Sequence, residues 1–349
     1  MTRRLVRPFV RAGQRGAAIL LALLIMTLVA TLAAGMVWVQ WRGIEVESAE
    51  RARGQGDWLL TAALDWGNLI LKSSVRNGHK EDDLGQPWAM PLAETKLSSF
   101  LSADGSHSDD GGPEAYLSGQ ITDAQSKYNL YNLVLPGSGK GAGSEVDRLK
   151  ILCSAAGVSE SVATTLAAGI RASWSAVQQA KDSGTDSSGA VLMPVQVSDL
   201  AWYGIDQQSL KLLEPFVQIL PYAITVDASG NTTATATTIN VNTAPAEVLM
   251  AALPGITRAQ AQQIILHRQQ SPLQAGGVDT AMNYSKANPY KVPDGAPARQ
   301  DGVLSQYFEI YGQLRYEQHV IRERSVVYRK DAANPVQVLR RERLAPDAA

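Results

Sequence analysis

The chain is short of the residues that staple small folds or build metal sites. Cys153 is the single cysteine among 349 residues, so an internal disulfide is excluded, and His79, His107, His267 and His319 are scattered without metal-ligand spacing. A net charge of −1 leaves no surplus of cations for bulk nucleic-acid binding. No G-x-S-x-G, no H-E-x-x-H and no Gly-rich dinucleotide turn after a strand occurs, so no catalytic set presents itself. The stretch "LPGSGKGAGSE" (135–145) fails as a phosphate loop. Lys140 is followed by Gly141 rather than Ser or Thr, and the four-residue spacing before it is missing. The sharpest absence is local: residues 16 to 41 hold no charge, and the leader before them holds Arg3, Arg4, Arg7, Arg11 and Arg15 without one acid.

What is present fits a folded chain with room for two or three domains, 45% hydrophobic and 19% charged. The 25 residues from Ala17 to Trp41 form a helix about 38 Å long, more than the ~30 Å hydrocarbon core of a bilayer. Arginines before it, with Glu45, Glu47 and Glu50 after it, predict an amino terminus in the cytoplasm and the bulk of the chain outside. Ala33-Ala34-Gly35 offers a signal-peptidase cut that would start the mature chain at Met36. Against it, Leu59, Ala62, Ala63, Trp66, Leu69 and Ile70 continue helical periodicity as one apolar stripe beyond the membrane edge.

Farther on, one small unit recurs: a helix end, a glycine, a hydrophobe, a capping residue and another helix. Its copies are "LCSAAGVSESVATTLAAGI" (152–170), "LAWYGIDQQSLKLLEPF" (200–216) and "VLMAALPGITRAQAQQIILHR" (248–268). Gly157, Gly204 and Gly255 suit the left-handed residue that ends a helix. Ser159, Asp206 and Thr257 stand at the next N-cap, Thr257 with Gln260 as a capping box, and Ser144 with Asp147 opens an earlier helix. Pro245 of "NTAP" falls in a first helical turn. These are helix-hairpin-helix units. In DNA-binding versions a second glycine lets backbone amides reach phosphate; here Ser159, Asp206 and Thr257 replace it, and acids offset Arg258, His267 and Arg268. A structural or protein-contact role follows, with a membrane-anchored DNA-binding module of an uptake system as the alternative. Trp88, Trp174 and Trp202 are expected as core or interface anchors. Alternation predicts strands within 115–134, 307–316, 319–330 and 335–342, while 102–114 is a loop by composition.

The basic leader ending in Gly16, the uncharged run from Ala17 and the amphipathic continuation resemble type IV pilins and type II secretion pseudopilins. The resemblance implies prepilin peptidase cleavage between Gly16 and Ala17, methylation of Ala17, and a retained helix. That helix anchors the chain in the inner membrane and later packs in a filament, where Ala30, Ala33, Ala34 and Gly35 permit close approach. Leu21 stands where most such subunits carry a glutamate, a departure that, with the large size and "INVNTAPAEVLMAALPGI" (239–256), is similar to the K-type minor pseudopilins. That family implies a non-enzymatic subunit at the pseudopilus tip, with I- and J-type minor pseudopilins, the pseudopilus and the inner-membrane assembly platform as partners and no nucleic acid. It implies an α+β fold: a long amino-terminal helix on a small antiparallel sheet, with a large all-α insertion of helix-hairpin-helix, SAM-like modules. The expected segments are a leader (1–16), a membrane helix (17–41), helix and first strands (42–131), a first helical insert (132–220), a second module with linking strands (221–305), and closing strands (306–349). Members of that family often hold calcium on an acidic cluster after the first hairpin. Here "GIRASWSAVQQAKDSGTDSSGA" (169–190) retains only Asp182 and Asp186, few for an ion that takes about 6–8 oxygens, so no cofactor is assigned.

Overall fold

Helix α1 (Gln14–Arg76) runs unbroken through both apolar segments. The computed structural model describes residues 14–76, 78–97, 115–135, 143–184, 191–221, 223–226, 232–284, 290–316, 319–331 and 333–345. The leader to residue 13, the 102–114 loop and most of the 135–145 linker lie outside them. The chain divides into two units, Met1–Leu59 and Leu60–Ala349.

In the second unit α1 turns Leu60, Leu64, Gly67 and Leu71 inward, a spacing of four, three and four that lines one helical face. This face is one residue out of step with the stripe read from the sequence: Leu59, Ala63 and Ile70 are half-buried, while Ala62, Trp66 and Leu69 are exposed. The helix is apolar over more than one face, so periodicity alone does not choose which face packs.

The face lies on a five-stranded antiparallel sheet of β1 (Leu92–Lys96), β2 (Ala115–Asp123), β9 (Tyr307–Tyr316), β10 (His319–Tyr328) and β11 (Gln337–Leu344), ordered β1-β2-β9-β10-β11. Phe308, Ile310, Gly312 and Leu314 of β9 face the helix in alternation, as a half-buried strand requires. Close approach is built in. A Cβ on Gly312 would lie 2.9 Å from Leu60, and one on Gly67 would lie 3.3 Å from Ile310.

Between β2 and β9 the chain makes its insert. Short pairs frame it: β3 (Tyr128–Asn129) runs parallel to β4 (Val217–Gln218), β5 (Ala223–Val226) antiparallel to β6 (Thr232–Thr235), and β7 (Ile239–Asn240) parallel to β8 (Asp301–Gly302). The helices are α2 (Glu145–Ala155), α3 (Glu160–Ser183), α4 (Gln207–Leu213), α5 (Ala246–Ala252), α6 (Arg258–Gln270) and α7 (Gly277–Ala281). Leu149, Leu166, Leu200 and Leu213 share one buried cluster with Val241, Leu249 and Ile264, so both helical segments have a single core. A smaller cluster of Ala124, Leu220, Tyr307 and Val326 seats the insert on the sheet.

Two hairpin arms differ from the sequence pattern. The first arm of the middle copy is a 3₁₀ helix (Val197–Tyr203) rather than an α-helix, and α3 continues to Ser183, where Gly184 ends it at φ 63°. Good helix formers between Ala172 and Lys181 explain that extension. Pro245 is the N-cap of α5, one residue before the first turn.

Candidate functional site

In the first unit every residue from Ala17 to Glu50 is exposed. Ile19, Leu20, Leu21, Leu23 and Leu24 therefore present an unbroken apolar surface, the kind of surface lipid or sister helices cover. Between Ala17 and Trp41 the hydroxyls are satisfied within the helix, Thr27 Oγ1 donating to the Leu24 carbonyl and Thr31 Oγ1 to Leu28, both at 2.9 Å. Among the described helices, α1 is the one long and apolar enough to cross a membrane. Gly16 and Ala17 lie in its first turn, and Leu21 is 60% exposed, with no carboxylate from Ala17 to Trp41. The Arg42 guanidinium sits 5.8 Å from the Trp38 ring at the end of the uncharged run, a pairing suited to an interface between lipid and water.

In the second unit the exposed side of α1 borders a groove floored by the sheet. Ala63, Trp66 and Ile70 form one wall, Pro87, Trp88 and Met90 the other, and Gly119 and Gly312 lie in the floor. Trp66 and Met90 are 45% and 67% exposed, so the rim offers apolar anchors to a partner, and Leu69, 62% exposed, adds apolar surface on the side of α1 away from the sheet. Of the other two tryptophans read as anchors, Trp174 is half-buried and Trp202 is 49% exposed.

The hairpin turns have the backbone they were read to need, with Gly157, Gly204 and Gly255 at φ 75°, 77° and 94°. Ser159, Asp206 and Thr257 each cap the following helix, accepting from Ser161 N, Ser209 N and Gln260 N. The third turn is covered. A Cβ on Gly255 would lie 2.5 Å from Pro293, and the Tyr290 hydroxyl donates to the Pro254 carbonyl. The nearby cations are engaged: Arg258 pairs with Glu247 at 2.8 Å and donates to the Ala155 carbonyl, while Arg268 donates to the carbonyls of Val241 and Ala244. In the middle copy the Asp206 carboxyl is held below the usual carboxylate range by the Ser209 hydrogen bonds, so it stays charged where phosphate would have to sit. Nothing here favours DNA. Asp182 lies in the last turn of α3, not in a loop, because that helix extends to Ser183. Asp186 lies outside the described residues.

Sequence patterns gave no sign of the polar node that joins the insert to the sheet. Asp82, after α1, accepts from Arg329 Nη2 at 2.6 Å and from the Ser305 amide at 2.8 Å. Asp123, at the end of β2, accepts through Oδ2 from Asn240 Nδ2 (2.9 Å), Thr243 Oγ1 (2.6 Å) and Ser305 Oγ (2.7 Å), and through Oδ1 from the Gln125 amide. Asn242 bonds both backbone groups of Leu273. The "INVNTAP" stretch thus supplies the insert's side of the joint: its asparagines and threonine clamp distant groups, and Asn240 Oδ1 also accepts from the Asn242 amide to hold the local turn. The signal available was that polar residues interrupt an otherwise apolar run at 239–243.

Residues 239–281 match the family described as Type II secretion system (T2SS), protein K. The chain is similar to Type II secretion system protein K of Pectobacterium carotovorum subsp. carotovorum, 25% identical over 356 residues, covering 95% of this chain and 97% of that one. Its fold is similar to a chain in the crystal structure of the GspK-GspI-GspJ complex from the enterotoxigenic Escherichia coli Type 2 Secretion System. The TM-score is 0.56 at 18% identity, with 85% of this chain and 98% of the other covered.

Proposed function

We propose that this chain is a K-type minor pseudopilin of a type II secretion system that works at the pseudopilus tip, helping to initiate assembly for export of folded proteins, a reading supported by the family match at residues 239–281 and the similarity to a protein K along the chain. The observation that carries this is α1, one helix whose first part exposes only uncharged residues from Ala17 to Trp41 and whose last part is the spine of a globular head. A carboxylate at the bilayer centre costs about 2.5–3.5 kcal/mol unless partnered. Leu21 in its place suits a subunit with no neighbour above to supply an amine.

In this proposal prepilin peptidase removes the leader after Gly16, Ala17 becomes the methylated amino terminus, and the helix holds the chain in the inner membrane with the head in the periplasm. The I- and J-type minor pseudopilins are the partners, an assignment supported by the solved complex of similar fold and by the exposed apolar side chains of Trp66, Leu69 and Met90. The inner-membrane assembly platform receives the same helix. The role is structural, and no enzyme chemistry, cofactor or nucleic acid enters it.

Amino-terminal sequencing of the chain purified from cells with active prepilin peptidase tests it. A start at Ala17, changing to Met1 when the peptidase is absent, is expected. A start at Met36 would make the chain an ordinary exported protein.

A further inference from the structure

The node beneath the insert holds two buried carboxylates, Asp82 and Asp123, and one buried cation, Arg329. Arg329 is committed to Asp82 at 2.6 Å, with its plane 4.5 Å from the Phe308 ring. Asp123 faces only neutral donors: Asn240 and Thr243 from the insert, Ser305 before β9, and the Gln125 amide. An ionised Asp123 is therefore a buried negative charge without a counterion.

The surroundings also fit the uncharged form. Thr243 Oγ1 lies 2.6 Å from Asp123 Oδ2 and 3.3 Å from the Asn240 carbonyl. A proton on Oδ2 can be donated to Thr243 Oγ1 while the hydroxyl turns its hydrogen to Asn240, so no donor is orphaned. A polar cleft of about 290 Å³ borders the node, lined by Asp82, Gln125 and Ser305, with His79, Arg329, Lys330 and Asp331 as the other charged or titratable groups.

We propose that Asp123 is a proton-operated latch: uncharged, it seats the helical insert firmly on the sheet, and ionised, it leaves the seat to open more often. Burial raises this carboxyl from 3.8 to about 6, outweighing the lowering by Thr243, Ser305 and Gln125, with the Asp82 charge adding to the rise. Since the folded value lies above the unfolded one, the contribution is complete below about pH 4 and is lost as pH rises through about 6.

Hydrogen–deuterium exchange on the full chain in detergent tests this at residues 239–243 and 303–306. After correction for intrinsic exchange, opening should rise up to about a hundredfold between pH 4 and pH 7.5, from a displacement of about two pKa units. Asp123→Asn should abolish the rise. Equal pH dependence in both proteins, or none in the wild type, would overturn the latch. Should the variant not fold, the wild-type chain labelled at aspartate carboxyl carbons decides. One carboxyl titrating near pH 6 is expected, and all of them ionised by pH 5 would be fatal to the proposal.

Discussion

A single guanidinium does three things at the back of the sheet. Arg329 donates through Nη1 to the Leu71 carbonyl, through Nη2 to Asp82 and the Ser305 carbonyl, and stacks on Phe308. Arg329→Met keeps much of the packing and strands Asp82, which should cost about 3–5 kcal/mol because an unpaired buried charge remains. Denaturant unfolding followed by Trp88 fluorescence, 5.2 Å from Phe308, reads that loss. Cys153 is buried, and desolvation lifts its thiol to about 12, so alkylating reagents should leave the native chain unlabelled at neutral pH and label it in denaturant. Labelling of the native chain would show that the insert core opens there. At this scale, what local chemistry dictates was legible: Thr257 with Gln260 is the capping box its spacing implies, and Ser144 is the expected N-cap, to which the structure adds a reciprocal bond from Asp147. Asp123 was not, since Asn240, Thr243 and Ser305 lie 117, 120 and 182 residues away, and no window of sequence displays that convergence.

Among whole elements, α1 separates packing from presentation. Leu64 is 1% exposed against the sheet and Leu69 62% exposed on the far side. Leu64→Ala should destabilise the head by about 2–5 kcal/mol. Leu69→Glu should leave its melting within about 0.5 kcal/mol of the wild type while weakening co-purification with the I- and J-type subunits. Equal binding by Leu69→Glu would move the contact elsewhere. Strand β9 was readable because it has one wet face, so alternation survives in the sequence, while β10 buries the run Ser325, Val326 and Val327 and β11 buries no residue. Strand β1 has a largely exposed pattern and escaped notice. The 3₁₀ arm of the middle hairpin escaped too, because a seven-residue turn of either pitch fits the same letters.

For the whole molecule, the sequence suggested separate helical modules split near residue 220, whereas packing unites them, with Leu166 and Leu249 in one cluster. Repeats reveal units but not which of their faces fuse. Leu21→Glu restores the carboxylate common among pilin-like subunits. On the proposed tip role it should give no gain in pseudopilus formation, scored by immunoblot of sheared filaments. Incorporation of this variant along the shaft would argue against an end position.

Asp123 and Phe308 are register partners at one end of the β2–β9 pair, with the insert leaving after the first and returning just before the second. Tension applied to the insert therefore draws two neighbouring strands the same way at once. Their mutual hydrogen bonds are spared, and the strain falls as shear on the outer ladders to β1 and β10. The load is thus shared by two ladders at once, where a mount hung from a lone edge strand would place it on one.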